Sequence, residues 1–109
     1  MKRYILPIDD TQRLEELERL NYEVNSYSLV IDRMLSSHMN EPKFIQSEIF
    51  RSYQKEYQQV VLQYERAKNE FTHYLMPMVR EEEGNKDVPF SWNIEDFGTK
   101  TVEIIIQGE

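Results

Sequence analysis

Between residues 50 and 74, eight positions at alternating spacings of three and four residues carry no charge. They are Phe50, Tyr53, Tyr57, Val60, Tyr64, Ala67, Phe71 and Tyr74. Charged residues make up 30% of the chain, so an uncharged run at this spacing is a strong pattern. On an α-helix these positions form one stripe, whereas on a strand they would scatter over both faces. The pattern predicts a long helix whose apolar stripe must be covered. Ile49, Val61, Leu75 and Met78 widen that stripe beyond a strict two-stranded seam.

A second, weaker stripe precedes it. Leu14, Leu17, Asn21, Val24, Ser28, Ile31 and Leu35 keep the same alternation, and Leu20, Tyr27 and Met34 lie one residue to the side. Asn21 and Ser28 are polar breaks in the stripe. A helix over 9–38 is expected, with Asp9 and Gln12 forming a capping box that satisfies free amides of the first turn. Ser36 to Pro42 breaks the pattern. Asn40 as N-cap and Pro42 in the first turn predict the start of a second helix over 41–80. Pro77 either kinks that helix or ends it, and Gly84 is the latest stop. Two striped helices joined by a short break imply an antiparallel hairpin, coiled-coil-like, with both outer ends at one pole.

The ends of the chain read as β structure. Residues 1–8 suggest a short strand. After an acidic linker over 81–87, residues 88–107 suggest a β-hairpin. Phe90, Trp92 and Ile94 share one face of its first arm, and Val102, Ile104 and Ile106 share one face of its second. Asp96 to Thr99 offer the turn. A two-stranded hairpin alone is marginal in water, so residues 3–8 are expected to add a third strand, or a partner to supply one. The expected fold is mainly α with a small β element, one domain over 1–109.

Charge narrows the function. Acids outnumber bases 20 to 13, a net charge of -7. Residues 9–39 carry -4, residues 40–80 carry +1 and residues 81–109 carry -6. A chain this acidic is a poor general binder of nucleic acid or anionic membrane. The absence of cysteine removes disulfides, thiolate zinc sites and thiol nucleophiles. No run approaches the ~18 apolar residues of a membrane span. A cytoplasmic protein, or a component of a phage particle, is the expectation.

Chemistry finds few footholds. The three glycines are dispersed, which argues against phosphate-cradling loops. Ser36, Ser37 and His38 are adjacent in a turn and lack the spacing of a nucleophile elbow. Glu70 and His73 form a Glu-x-x-His pair, the way ferritin-like di-iron bundles present ligands. Here Phe71 and Tyr74 hold the stripe, so Glu70 and His73 fall on its flanks. No catalytic residue, metal site or cofactor is expected.

The leading expectation is therefore a non-enzymatic interaction or assembly protein, bacterial or phage. It would self-associate as a homo-oligomer through a seam of Tyr53, Tyr57, Val60, Tyr64, Phe71 and Tyr74. It would dock a protein partner through Trp92, Val102, Ile104 and Ile106, and the strand 101–106 is either the middle of a small sheet or a strand that adds to the partner's sheet. The alternative is a small acidic inhibitor that occupies the basic nucleic-acid channel of a nuclease or other DNA-binding target.

Overall fold

The computed structural model of the chain describes residues 2–94 and 97–107. Its elements run β1 (Lys2–Pro7), α1 (Thr11–Ser37), a 3-10 turn (Phe44–Gln46), α2 (Glu48–Glu82), β2 (Phe90–Asn93), a second 3-10 turn (Phe97–Thr99) and β3 (Thr101–Ile106). Two long helices and a small antiparallel sheet are the architecture that the stripes and alternations imply. By internal contacts the chain divides into two compact units, one of Met1–Glu16 with Ala67–Glu109 and one of Leu17–Arg66.

In the first unit the strands are ordered β1-β3-β2, all antiparallel. β3 is central, and the N-terminal strand is the third strand that a marginal hairpin needs. Tyr4 pairs with Ile104 and Leu6 with Val102 on one side, while Phe90 pairs with Ile106 and Trp92 with Ile104 on the other. These residues share one face. That face meets α2, where Phe71, Leu75 and Val79, spaced by four, are no more than 1% exposed. Leu6, Ile8, Leu14, Val102 and Ile104 complete the core of this unit.

Helix ends differ from the sequence expectation in instructive ways. α1 starts at Thr11, and Asp10 rather than Asp9 caps it. The Asp10 carboxylate accepts from the Arg13 amide at 3.4 Å and from Arg13 Nε at 2.9 Å. α2 starts at Glu48, not at residue 41, and Asn40 and Pro42 do not begin it. Residues 38–47 instead form successive one-turn bonds, such as Glu41 N–H to His38 O at 2.9 Å and Ser47 N–H to Phe44 O at 2.9 Å. Ser47 has an extended backbone, and its hydroxyl accepts from the Phe50 amide at 3.3 Å. It is the true N-cap.

Pro77 does not end α2; the helix continues to Glu82. Proline removes one ladder bond, but the fully buried Leu75 and Val79 lie on either side and hold this stretch against the sheet. Glu81 and Glu82 are therefore helical, not linker. The stop is a Schellman motif. Gly84 takes φ 68° and Asn85 φ 64°. The Asn85 amide bonds Arg80 O at 2.8 Å and the Gly84 amide bonds Glu81 O at 3.3 Å.

The expected hairpin over 88–107 is narrower than its sequence range, with strands at Phe90–Asn93 and Thr101–Ile106. Of the expected turn, Phe97, Gly98 and Thr99 form the 3-10 turn; Asp96 lies outside the described residues, as does Met1 of the first strand.

The second unit is a helical hairpin of residues 17–37 and 48–66. Its arms meet where the Tyr27 ring packs edge-on to Tyr53, centroids 6.3 Å apart, and Tyr27 Oη donates to Glu56 at 3.3 Å. At the turn the His38 ring stacks on Phe44 at 3.8 Å, and Phe44 leans on Phe50 at 5.5 Å. Leu17, Leu20, Phe50 and Val60 are this unit's buried apolar residues.

Candidate interaction surfaces

The seam residues divide between the two units. Phe71 and Tyr74 belong to the first. The Phe71 ring meets Trp92 edge-on at 4.9 Å and Tyr74 at 5.7 Å, and Arg13 lies 5.0 Å over the Tyr74 ring. Phe71 is 1% exposed. Its contact area is therefore spent inside the chain, which corrects the expectation that it faces a second copy. Tyr53, Tyr57, Val60 and Tyr64 belong to the second unit. Val60 is buried, Tyr57 and Tyr64 are half-buried, and Tyr53 is exposed.

The expected docking residues also occupy the interior of the first unit. Val102 and Ile104 are fully buried, and Trp92 and Ile106 are half-buried. Trp92 is fixed at both ends. Its ring packs on Phe71, and its indole N–H donates to Thr72 Oγ1 at 2.9 Å. The Thr72 hydroxyl in turn donates to Lys68 O at 3.0 Å. Of the two settings open to 101–106, the structure has the middle of a small sheet. β1 and β2 already occupy both edges of β3. Sequence alternation gave the right face for these residues, but the reason for that face is internal: a central strand has no edge to offer.

The open parts of the sheet lie elsewhere. Ile8 N–H bonds Lys100 O at 2.9 Å, which fixes the phase of the β1–β3 ladder. Even-numbered residues of β1 then point their peptide groups at β3, and Arg3, Ile5 and Pro7 point theirs outward. Pro7 brings no N–H to that edge, and Lys2 and Arg3 place charge along it, both of which discourage strand addition. Lys2 Nζ binds Glu83 at 2.6 Å and Arg3 binds Glu103 at 3.0 Å. On the outer face of the sheet Ile5 is exposed and Ile105 half-buried.

Among the described residues three titrating groups are shifted. The hydrogen bond to Glu83 holds the Lys2 ammonium pKa above its ordinary value. Burial raises the Tyr4 phenol, whose hydroxyl is buried without a hydrogen-bond partner. The Glu56 carboxylate raises the Tyr27 phenol by opposing a second negative charge beside it. None of these brings a proton donor or acceptor into the neutral range.

Glu70 and His73 are both exposed. Glu70 lines a shallow groove with Asp10, Gln12, Arg13, Glu16, Ala67 and Phe71. Among the described residues no group of three or more His, Asp or Glu side chains is placed to hold a metal ion. No described helix is long and apolar enough to cross a membrane.

Exposed apolar surface is concentrated in the second unit. Among the described residues eleven large apolar side chains are exposed, and nine of them lie between Leu17 and Arg66. Five flank the hairpin turn: Leu35 at 40%, Met39 at 80%, Ile45 at 54%, Ile49 at 65% and Tyr53 at 38%. Sequence reasoning placed Ile49 on the margin of the stripe and passed over Met39 and Ile45. Their signal is large apolar side chains in a segment whose neighbours are polar. No protein-family model, characterised protein or solved structure matches the chain.

Proposed function

We propose that this is a non-enzymatic interaction protein that self-associates through its helical hairpin and takes part in a larger bacterial or phage assembly, in the cytoplasm or in a phage particle. The observation that carries the reading is the uneven burial of the two units. The sheet unit has a filled core, whereas the hairpin leaves nine large apolar side chains in water. Two helices can cover only the facing part of each other's stripes. Exposed apolar surface on this scale marks a contact region, and half-buried tyrosines suit one, because their rings pack while their hydroxyls stay hydrated.

The sheet unit is the rigid body that such an oligomer would present to a protein partner. With Trp92, Val102, Ile104 and Ile106 turned inward, its available surface is the outer face around Ile5 and Ile105.

Light scattering on the full chain at low and high salt tests the reading. A salt-resistant oligomer is expected, because apolar contact is not screened by ions. Tyr57→Asp should reduce its mass, since an unpaired charge would enter an apolar layer. A monomer at every concentration would refute self-association. The acidic-inhibitor reading would then take its place, with salt-sensitive capture of a basic target as its signature.

A further inference from the structure

The self-association just proposed does not say which face the second copy occupies. We infer that it occupies the first two turns of α2, through an antiparallel two-fold contact of Ile49, Ser52 and Ile45 with the same residues of the other copy. Ile49 is 65% exposed and Ile45 54% exposed. Glu48, Ile49, Ser52 and Tyr53 line an open depression. One helix face therefore carries both an exposed isoleucine and a recess whose lining includes the small Ser52. A face with its own knob and its own hole is self-complementary, as a two-fold interface requires.

Charge chooses the occupant and the orientation. Glu48 and Lys55 are seven residues apart, two turns along one side of this face. When two copies run antiparallel with Ile49 opposite Ser52, the same flanks of the two helices face each other. Glu48 of each copy then comes beside Lys55 of the other, forming two ion pairs. A parallel two-fold would put the flanks that carry Glu48 and Lys55 on opposite sides of the contact and form neither pair. Location matters as well. Residues 33–55 carry four bases and two acids, whereas the rest of the chain carries nine bases and eighteen acids. Two copies of so acidic a chain meet with least repulsion here.

The area is adequate for a modest dimer. Leu35, Met39, Ile45, Ile49 and Tyr53 together leave on the order of 500 Å² of apolar surface exposed, comparable to the largest apolar patch of a typical monomer, which is often functional. With Glu48, Arg51, Ser52 and Lys55 added, the patch approaches the ~800 Å² per partner of a standard interface. A dissociation constant in the micromolar range is expected.

Sedimentation equilibrium of the full chain from micromolar to high micromolar concentration tests the inference. Ile49→Glu should weaken dimerisation at least tenfold, with unchanged helical signal and melting temperature measured at monomeric concentration. Glu48→Lys and Lys55→Glu should each weaken it, because each sets like charges together. The double variant Glu48→Lys/Lys55→Glu should restore it, an outcome that loss of folding cannot produce. An oligomer unaffected by Ile49→Glu, or a double variant weaker than either single one, would overturn this face while leaving self-association standing. A wild-type monomer throughout would overturn both.

Discussion

The hydrogen bond from Trp92 to Thr72 ties β2 to α2, and its worth can be measured by a double-mutant cycle. Thr72→Val keeps the shape and β-branching of the side chain but removes the oxygen that accepts the indole N–H at 2.9 Å. It also removes the hydroxyl's own bond to Lys68 O. A net hydrogen bond is worth about 1 kcal/mol, and a buried donor left without a partner costs about 1–3 kcal/mol. Trp92 is half-buried, so water recovers part of that loss, and about 1.5 kcal/mol is expected for Thr72→Val. Trp92→Phe loses the same bond together with part of the packing on Phe71, for about 2 kcal/mol. The double variant should cost about 1 kcal/mol less than the sum, because the bond can be lost only once. Thr72→Ser retains the hydroxyl and should stay within about 0.5 kcal/mol of wild type. The assay is urea unfolding followed by circular dichroism, with tryptophan fluorescence as a second probe for the variants that keep Trp92. Additivity of the two single changes would refute the coupling, and a Ser variant as unstable as Val would refute the role of the hydroxyl.

Leu75→Ala should cost about 2–5 kcal/mol, because the side chain is 0% exposed beneath the sheet; a loss under about 1 kcal/mol in urea unfolding would contradict that packing. Gly84→Ala should cost about 1 kcal/mol from the left-handed backbone alone, since an added Cβ meets nothing within 4 Å at φ +68°. Gly84→Asn, which tolerates this conformation, should recover most of it; equal losses would point to a contact instead. Alkali should destabilise the fold. Lys2, Tyr4 and Tyr27 all have pKa values raised on folding, so their contribution is whole below the unfolded value near 10 and fades as pH rises through the folded value. A melting temperature that holds or climbs from pH 9 to 11 would contradict those shifts.

Periodicity made much of this fold legible. A 3.6-residue stripe and a two-residue alternation are each fixed by backbone geometry, so Phe71 and Val102 were identifiable as members of a covered apolar face from their neighbours alone. Element ends were less legible because they depend on competition between nearby caps. Asn40 and Pro42 offered a plausible start to α2, but Ser47, seven residues on from Asn40, supplies the cap that forms. Pro77 left open whether α2 kinks or ends there; the helix runs on because the burial of Leu75 and Val79 offsets one lost ladder bond. The functional assignment of Trp92 and Val102 to a dock failed at a different level. Alternation shows that a residue faces a surface, not whether that surface is another part of the same chain.

The same distinction explains why the candidate surface lies where the sequence pattern is least regular. A regular stripe such as Phe71–Leu75–Val79 is regular because the sheet of its own unit covers it. Ile45, Ile49 and Met39 break the stripe's outline, and nothing in the chain's own pattern accounts for their exposure of 54%, 65% and 80%. An exposed isoleucine in isolation is ordinary on a protein surface. Here Ile49 borders a depression lined by its own helix, beside Glu48 and two turns' reach from Lys55. Size, shape and charge thus converge on one face. If only the apolar area mattered, exchanging the charges of Glu48 and Lys55 would leave association unchanged at every step. If the face is read as a whole by its own copy, each single exchange must weaken association and the second must restore it.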